Sequence, residues 1–117
     1  MPFDTSVLDK AIAQRSRRLE SERKDLVAQT IALLDSHSRQ FGIRSGYIFG
    51  SVTRPRRFHE HSDVDIAIET SRPELLAEAI GRFSSLLERD VDLVDLSAVP
   101  FADRIRGEGV PWTPKSS

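Results

Sequence analysis

The sequence predicts an α+β domain: a small mixed β-sheet with helices packed on one face, preceded by a long N-terminal helix. Three observations carry this. From Phe3 to Phe41 the chain holds neither glycine nor proline, which leaves a helix free to run. Asp63–Glu69 alternates acidic or small residues with Val64, Ile66 and Ile68, the period of two expected of a strand. Leu75, Leu76, Ala79, Ile80, Phe83, Leu86 and Leu87 recur at helical spacing, the strongest helix signal in the chain.

Taken in order, Asp4, Thr5 and Ser6 offer N-cap side chains before Val7, Leu8, Ala11 and Ile12. The segment Arg15–Asp25 is strongly polar, with Leu19 its lone apolar residue, and a second stripe follows at Leu26, Val27, Ile31 and Leu34. Leu8, Ile12, Leu19, Leu26 and Leu33 form a thin heptad-like seam, so residues 1–41 are read as a helical arm and a candidate docking element for a partner or a second copy. Gly42 suits the C-cap. The compact body, residues 42–117, opens with the apolar strand Gly46–Phe49 and a Gly50-Ser51 turn, followed by a polar loop over 52–62. Pro73 starts the helix that runs to Arg89. Val91–Leu96 is a third strand, and Ala102–Arg106 a short helix stopped by Gly107, before a tail containing Trp112. The order helix–strand–strand–helix–strand–helix places helices on one face of a small sheet.

Composition narrows the function. The 117 residues fit one core. Lys and Arg number 17 against 18 Asp and Glu, a balance unlike the basic footprint of a bulk nucleic-acid coat. The absence of cysteine removes disulfides, thiolate zinc sites and cysteine nucleophiles. The start lacks the basic-then-apolar pattern of a secretory leader, and the longest apolar run, Ile31–Leu34, is far short of a membrane span, so a soluble cytoplasmic protein is expected.

Chemistry concentrates around Asp63 and Asp65. Residues two apart on a strand share a face, so both carboxylates project together while Val64, Ile66 and Ile68 face the other way. Alone, an Asp-x-Asp pair is a common solvated strand edge. Beside it, however, lies Gly50-Ser51, where the absence of a Cβ admits a phosphate close to the backbone and the serine adds a hydroxyl and successive N–H donors. Arg54, Arg56 and Arg57 follow, able to neutralise phosphate oxygens. Mg²⁺ suits such a pair of acids, since it takes oxygen ligands from one or two carboxylates, phosphates and water. A third carboxylate is expected from the strand at 91–96. Asp92 and Asp95 are three apart and face opposite sides; Asp92 lies within the strand, whereas Asp95 lies near its end, where it can cap a turn through Ser97 or Ala98.

Gly50-Ser51, Ser62-Asp63-Val64-Asp65 and Val91-Asp92-Leu93-Val94 together resemble the minimal nucleotidyltransferase (MNT) branch of the DNA polymerase β-like superfamily, of the antitoxin type found in HEPN/MNT pairs. The resemblance spans about residues 43–112 and includes the ending Ile105-Arg106-Gly107-Glu108-Gly109-Val110. Two departures are visible: the spacer from Val52 to Ser62 is eleven residues, one more than the commonest form, and Val52 stands where a basic or small residue is frequent. The resemblance implies a polymerase β-like fold in residues 42–117. It implies that Gly50 and Ser51, with Arg54, hold the phosphates of ATP or another nucleoside triphosphate. Asp63 and Asp65 would bind two Mg²⁺ ions, and Asp92 would bind the catalytic ion and accept the proton of the attacking hydroxyl. The implied reaction is in-line attack at the α-phosphorus with pyrophosphate leaving. The implied partner is a HEPN-domain toxin, some of which receive AMP on a tyrosine. A non-catalytic antitoxin acting by contact, and a stand-alone enzyme acting on a small molecule, are the alternatives.

Other residues have simpler readings. His59-Glu60-His61 lacks a third ligand of matching geometry and makes a poor zinc site. Tyr47, Ile48 and Phe49 read as sheet core, Trp112 as a lid on that core, and the Arg15–Lys24 charge run as a solvated helix face.

Overall fold

The computed structural model describes residues 5–115; Asp4, one of the N-cap candidates, lies outside them. Helix α1 runs from Ser6 to Phe41. Thr5 stands at its N-cap and accepts the Asp9 N–H through its carbonyl at 2.8 Å. Gly42, at φ +66°, closes the other end with its N–H directed at the Ser38 and Arg39 carbonyls, the left-handed cap that glycine favours. Strand β1 (Ile43–Phe49) leads into a single 3₁₀ turn at Ser51–Thr53. Strand β2 (Val64–Thr70) follows, then a 3₁₀ turn begun by Pro73 and helix α2 (Leu76–Leu87). Strand β3 (Val91–Asp95), helix α3 (Ala102–Glu108) and strand β4 (Val110–Trp112) complete the order.

The four strands form one mixed sheet in the order β3-β2-β1-β4. β1 runs antiparallel to β2 and β4, while β2 and β3 are parallel, joined by a crossover through α2. The branched side of β2 lies under α1 and α2: Val64, Ile66 and Ile68 are essentially without solvent contact and share a core with Ile48, Ala79, Phe83 and Leu93. Burying one such side chain stabilises the fold by about 1.5–3 kcal/mol. Phe83 is the hub on the helical side, edge-on to Phe41 at 6.0 Å and to His37 at 6.2 Å.

Helix α1 divides in two. Leu26, Thr30, Leu34, Ser38 and Phe41 are buried in the body, and Leu19 packs at its margin. Val7, Leu8 and Ile12 are exposed, on a projecting end that stretches the molecule to 66 × 28 × 27 Å. The seam read as too thin for the core is therefore thin only in its first half.

Three details depart from the sequence reading. Helix α3 runs through Gly107 to Glu108 and is closed at Gly109; nothing crowds Gly107, so the helix continues across it. The tail supplies a fourth strand, and Trp112 is buried there with its Nε1–H donated to Asp35 Oδ1 at 2.9 Å. Helix α3 also lies on the sheet face opposite α1 and α2, where Ile105 packs on Ala67 and Leu96 beside Tyr47 and Phe49. Ala67, the smallest side chain on that side of β2, leaves the room for it.

Candidate active site

The face of the sheet that α3 leaves open carries the acids. Asp63 directly precedes β2, Asp65 is its second residue, and Asp92 pairs with Asp65 across the parallel ladder. Asp63 and Asp92 are exposed and Asp65 half-buried. Register sets this arrangement. Val64 pairs with Val91 and Ile66 with Leu93, all four in the core, so the intervening Asp65 and Asp92 project together on the other side. The three carboxylates act on one another electrostatically. Burial raises the Asp65 carboxyl above its ordinary value, and the neighbouring charges of Asp92 and then Asp63 raise it further. Asp95 takes the other role open to it: its Oδ1 accepts the Ser97 N–H at 3.0 Å and the Ser97 hydroxyl at 2.7 Å, capping the turn after β3.

The glycine bend meets this acidic patch. Phe49 pairs with Asp65 across the β1–β2 ladder, which brings Gly50 against the same side chain. Gly50 has φ +80°, and a Cβ there would run into Asp65 Oδ2. Both the backbone conformation and the space therefore require glycine. The turn that follows is internally tied. The Thr53 hydroxyl donates to the Gly50 carbonyl at 2.8 Å, the Thr53 N–H reaches the same oxygen at 3.1 Å, and the Arg54 N–H reaches the Ser51 carbonyl at 3.0 Å. Thr53 is thus spent on the turn itself.

Gly50 and Ser51 open onto a cavity of about 480 Å³. Phe49 and Phe101 form its apolar wall, with ring centroids 6.4 Å apart. Arg54, Arg57 and Arg104 supply positive charge along the rim, and Glu108 pairs with Arg54 at 3.1 Å and with Arg104 at 3.8 Å. An apolar slot with a cationic mouth beside an anion-binding turn suits a flat heterocycle carrying phosphates. Of the three loop arginines, Arg54 and Arg57 line this cavity; Arg56 is exposed on the loop. Phe49, at the end of β1, packs at the margin of the α3-side core and also lines the cavity. Phe101 carried no signal in the sequence, and Glu108 appeared only within the family-like ending, since the fold of the 96–112 segment is what brings them to the cavity beside Gly50. His59 and His61 are exposed, the His59 Nδ1 accepts the His61 N–H at 3.2 Å, and Glu60 pairs with Arg15 at 3.8 Å.

Magnesium suits the acidic patch chemically. The donors are hard carboxylate oxygens, and Asp92 and Asp63 add negative charge beside the half-buried Asp65 that a divalent cation would offset. Among the described residues no three His, Asp or Glu side chains are grouped so as to hold a metal ion by themselves. Mg²⁺ needs no such cage, because water and substrate phosphates complete its coordination.

A mixed sheet with a glycine–serine turn, two acids at the start of one strand and a third on its parallel neighbour defines a nucleotidyltransferase-type domain. The family model for the polymerase β nucleotidyltransferase domain matches residues 29–111, and the chain belongs to that family. Its start at residue 29 falls in the half of α1 that the body buries. No curated protein matches the chain. Among solved structures, similarity extends to a toxin–antitoxin crystal structure with AMP-PNP (24% identity, 74% of each chain covered, TM-score 0.60). A mutant MntA–HepT toxin–antitoxin complex is similar at 26% identity over 76% of this chain and 72% of that one, TM-score 0.56. The MntA–HepT complex itself gives 23% identity, 79% and 73% coverage, and TM-score 0.54. No helix among the described residues is long and apolar enough to cross a membrane.

Proposed function

We propose that this chain is a Mg²⁺-dependent nucleotidyltransferase that transfers AMP from ATP to a hydroxyl of a HEPN-type partner protein, and that it serves as the antitoxin of that pair. The observation that carries the reading is that Asp65, which follows Asp63 by two residues and pairs with Asp92, lies against Gly50, and that Gly50 and Ser51 line the cavity. The toxin–antitoxin character of the similar structures, one of them with AMP-PNP, supports the choice of partner and nucleotide.

Each group then has a task. Gly50 admits the triphosphate to the backbone, and Ser51 with the amides of its turn binds phosphate oxygens. Arg54 and Arg57 offset the charge of the tail. Phe49 and Phe101 hold the base. Asp63 and Asp65 would hold two Mg²⁺ ions, with Asp92 sharing one of them; when bound, the ions supply charge stabilisation to the attacking and leaving oxygens. Asp92, exposed at the edge of the patch, would take the proton of an incoming hydroxyl. The hydroxyl oxygen bonds to the α-phosphorus as the bond to the β-phosphate bridging oxygen breaks, and pyrophosphate departs. The exposed half of α1 is the proposed docking arm for the partner.

Incubation with α-labelled ATP and Mg²⁺, with and without a HEPN-type protein, tests the reading. Label on the partner supports it. Label on a small acceptor, or neutralisation of the partner without transfer, replaces it with one of the alternatives.

A further inference from the structure

The loop between the phosphate turn and the acids is held at both ends by arginines from outside it. At its start, Arg23 of α1 donates Nη1–H to the Val52 carbonyl at 3.2 Å. The Arg23 side chain is only 13% exposed, and Glu20 fixes it through two further bonds, Nε–H at 2.8 Å and Nη2–H at 2.6 Å. At the loop's end, Arg89, just after α2, donates Nη1–H to the Ser62 carbonyl at 2.8 Å, and its guanidinium lies 5.4 Å from the centre of the Phe58 ring. Val52 and Phe58 are buried, so the loop is pinned by two apolar plugs as well. Ser62 is buried too and accepts the His59 N–H through its hydroxyl at 2.8 Å. Val52 follows Ser51 and Ser62 precedes Asp63, so each strap grips the residue next to a functional one.

We propose that Arg23 and Arg89 are positioning residues of the transfer site. Arg23 sets the phosphate turn, Arg89 sets the carboxylate end, and together they fix the span between them across eleven residues that form no continuous helix or strand. A planar guanidinium suits this work: its donors lie in a fixed fork, so it can hold Glu20 on one side and a main-chain carbonyl on the other. The proposal rests on the nucleotidyltransferase reading for its functional meaning. It differs from a stability role because it assigns the two straps separate effects.

The test uses the full chain with Arg23→Met, Arg89→Met and Arg23→Lys, and Arg82→Met, an exposed position on α2, as control. Amide hydrogen exchange over residues 51–62 is measured first, then affinity for Mg·ATP by calorimetry, then KM and kcat where transfer is observed. Arg23→Met should speed exchange at residues 51–54 and weaken Mg·ATP binding roughly tenfold, the order seen when outer-shell partners are removed. Arg89→Met should speed exchange at 59–63 and lower kcat by a similar factor with nucleotide affinity retained. Arg23→Lys, which keeps the charge but loses the fork, should fall between wild type and Arg23→Met. Unchanged loop exchange in both Met variants overturns the proposal, as does a uniform rise in exchange across the whole sheet. Absence of transfer by the wild-type protein would count against the proposed function alone, because loop exchange decides the straps without it.

Discussion

The two faces of β2 are built on opposite principles. On one, Val64, Ile66 and Ile68 are sealed beneath α1 and α2. On the other, Asp63 and Asp65 stand beside Asp92, and burial first, then the charges of Asp92 and Asp63, raise the Asp65 carboxyl above its ordinary value. Residues 63–68 thus supply the centre of the core and two of the three clustered acids. The hydrocarbon face holds the register; on the other face Ala67 packs under α3, while Asp63 and Asp65 are positioned by that register. Stability and chemistry are separable here by which side of a pleat a residue occupies.

Four measurements would break or sharpen this contrast. Phe83→Ala, which empties the hub of the sealed face, should cost about 3–5 kcal/mol in denaturant unfolding. The pair Asp63→Asn and Asp65→Asn should leave the melting temperature unchanged or raised, since repulsion is removed, while transfer of label falls more than about 100-fold, beyond what outer-shell partners of metal ligands cost. A melting temperature that fell as far as that of Phe83→Ala would erase the distinction between the faces. Gly50→Ala should combine both effects. The alanine must adopt φ +80° and ψ −157°, a strain of about 1–3 kcal/mol, and its methyl must displace Asp65, so Mg·ATP affinity should drop together with stability.

The smallest effect is the pH dependence of Asp65. Its folded carboxyl is raised above the ordinary 3.8, by burial first and then by Asp92 and Asp63, so between the ordinary and raised values the folded state holds a proton that the unfolded chain releases. At neutral pH the ionised group is a cost to folding, and that cost is relieved as pH falls through the raised value. Relative to Asp65→Asn, the wild type should therefore gain stability on acidification from about pH 7 to about pH 4, read as a difference in urea midpoints. A difference that stays flat would mean the acidic face is well solvated and uncrowded.

Much of this could be read before the fold was known, for identifiable reasons. The alternation of 63–69 assigns faces without reference to any partner strand, so the acids and the core under them were legible together. Asp92 was separable from Asp95 because three residues on a strand reverse the face. Gly50 was legible because its two neighbours in the argument, a serine and an acid pair, ask for the same small residue. Strand β4 was not legible: Val110–Trp112 is too short for periodicity and contains Pro111, tolerated because the strand lies at the sheet edge. The second role of Phe49, at the cavity wall as well as in the α3-side core, was not legible because alternation does not show which positions a covering helix leaves open. Arg23 was hidden within a charge run that looks solvated from end to end, and only the contact with Val52, 29 positions away, singles it out.

The parallel pairing of β2 with β3 also orders events in time. Asp65 and Asp92 lie 27 positions apart in the sequence, and parallel neighbours cannot meet through a tight hairpin; the intervening helix must first fold back across the sheet. Long-range closures of this kind come late relative to local helix and hairpin formation. A nascent or half-collapsed chain therefore possesses the bend and the first acids but no finished centre, and competence to react becomes a certificate that the whole body has assembled.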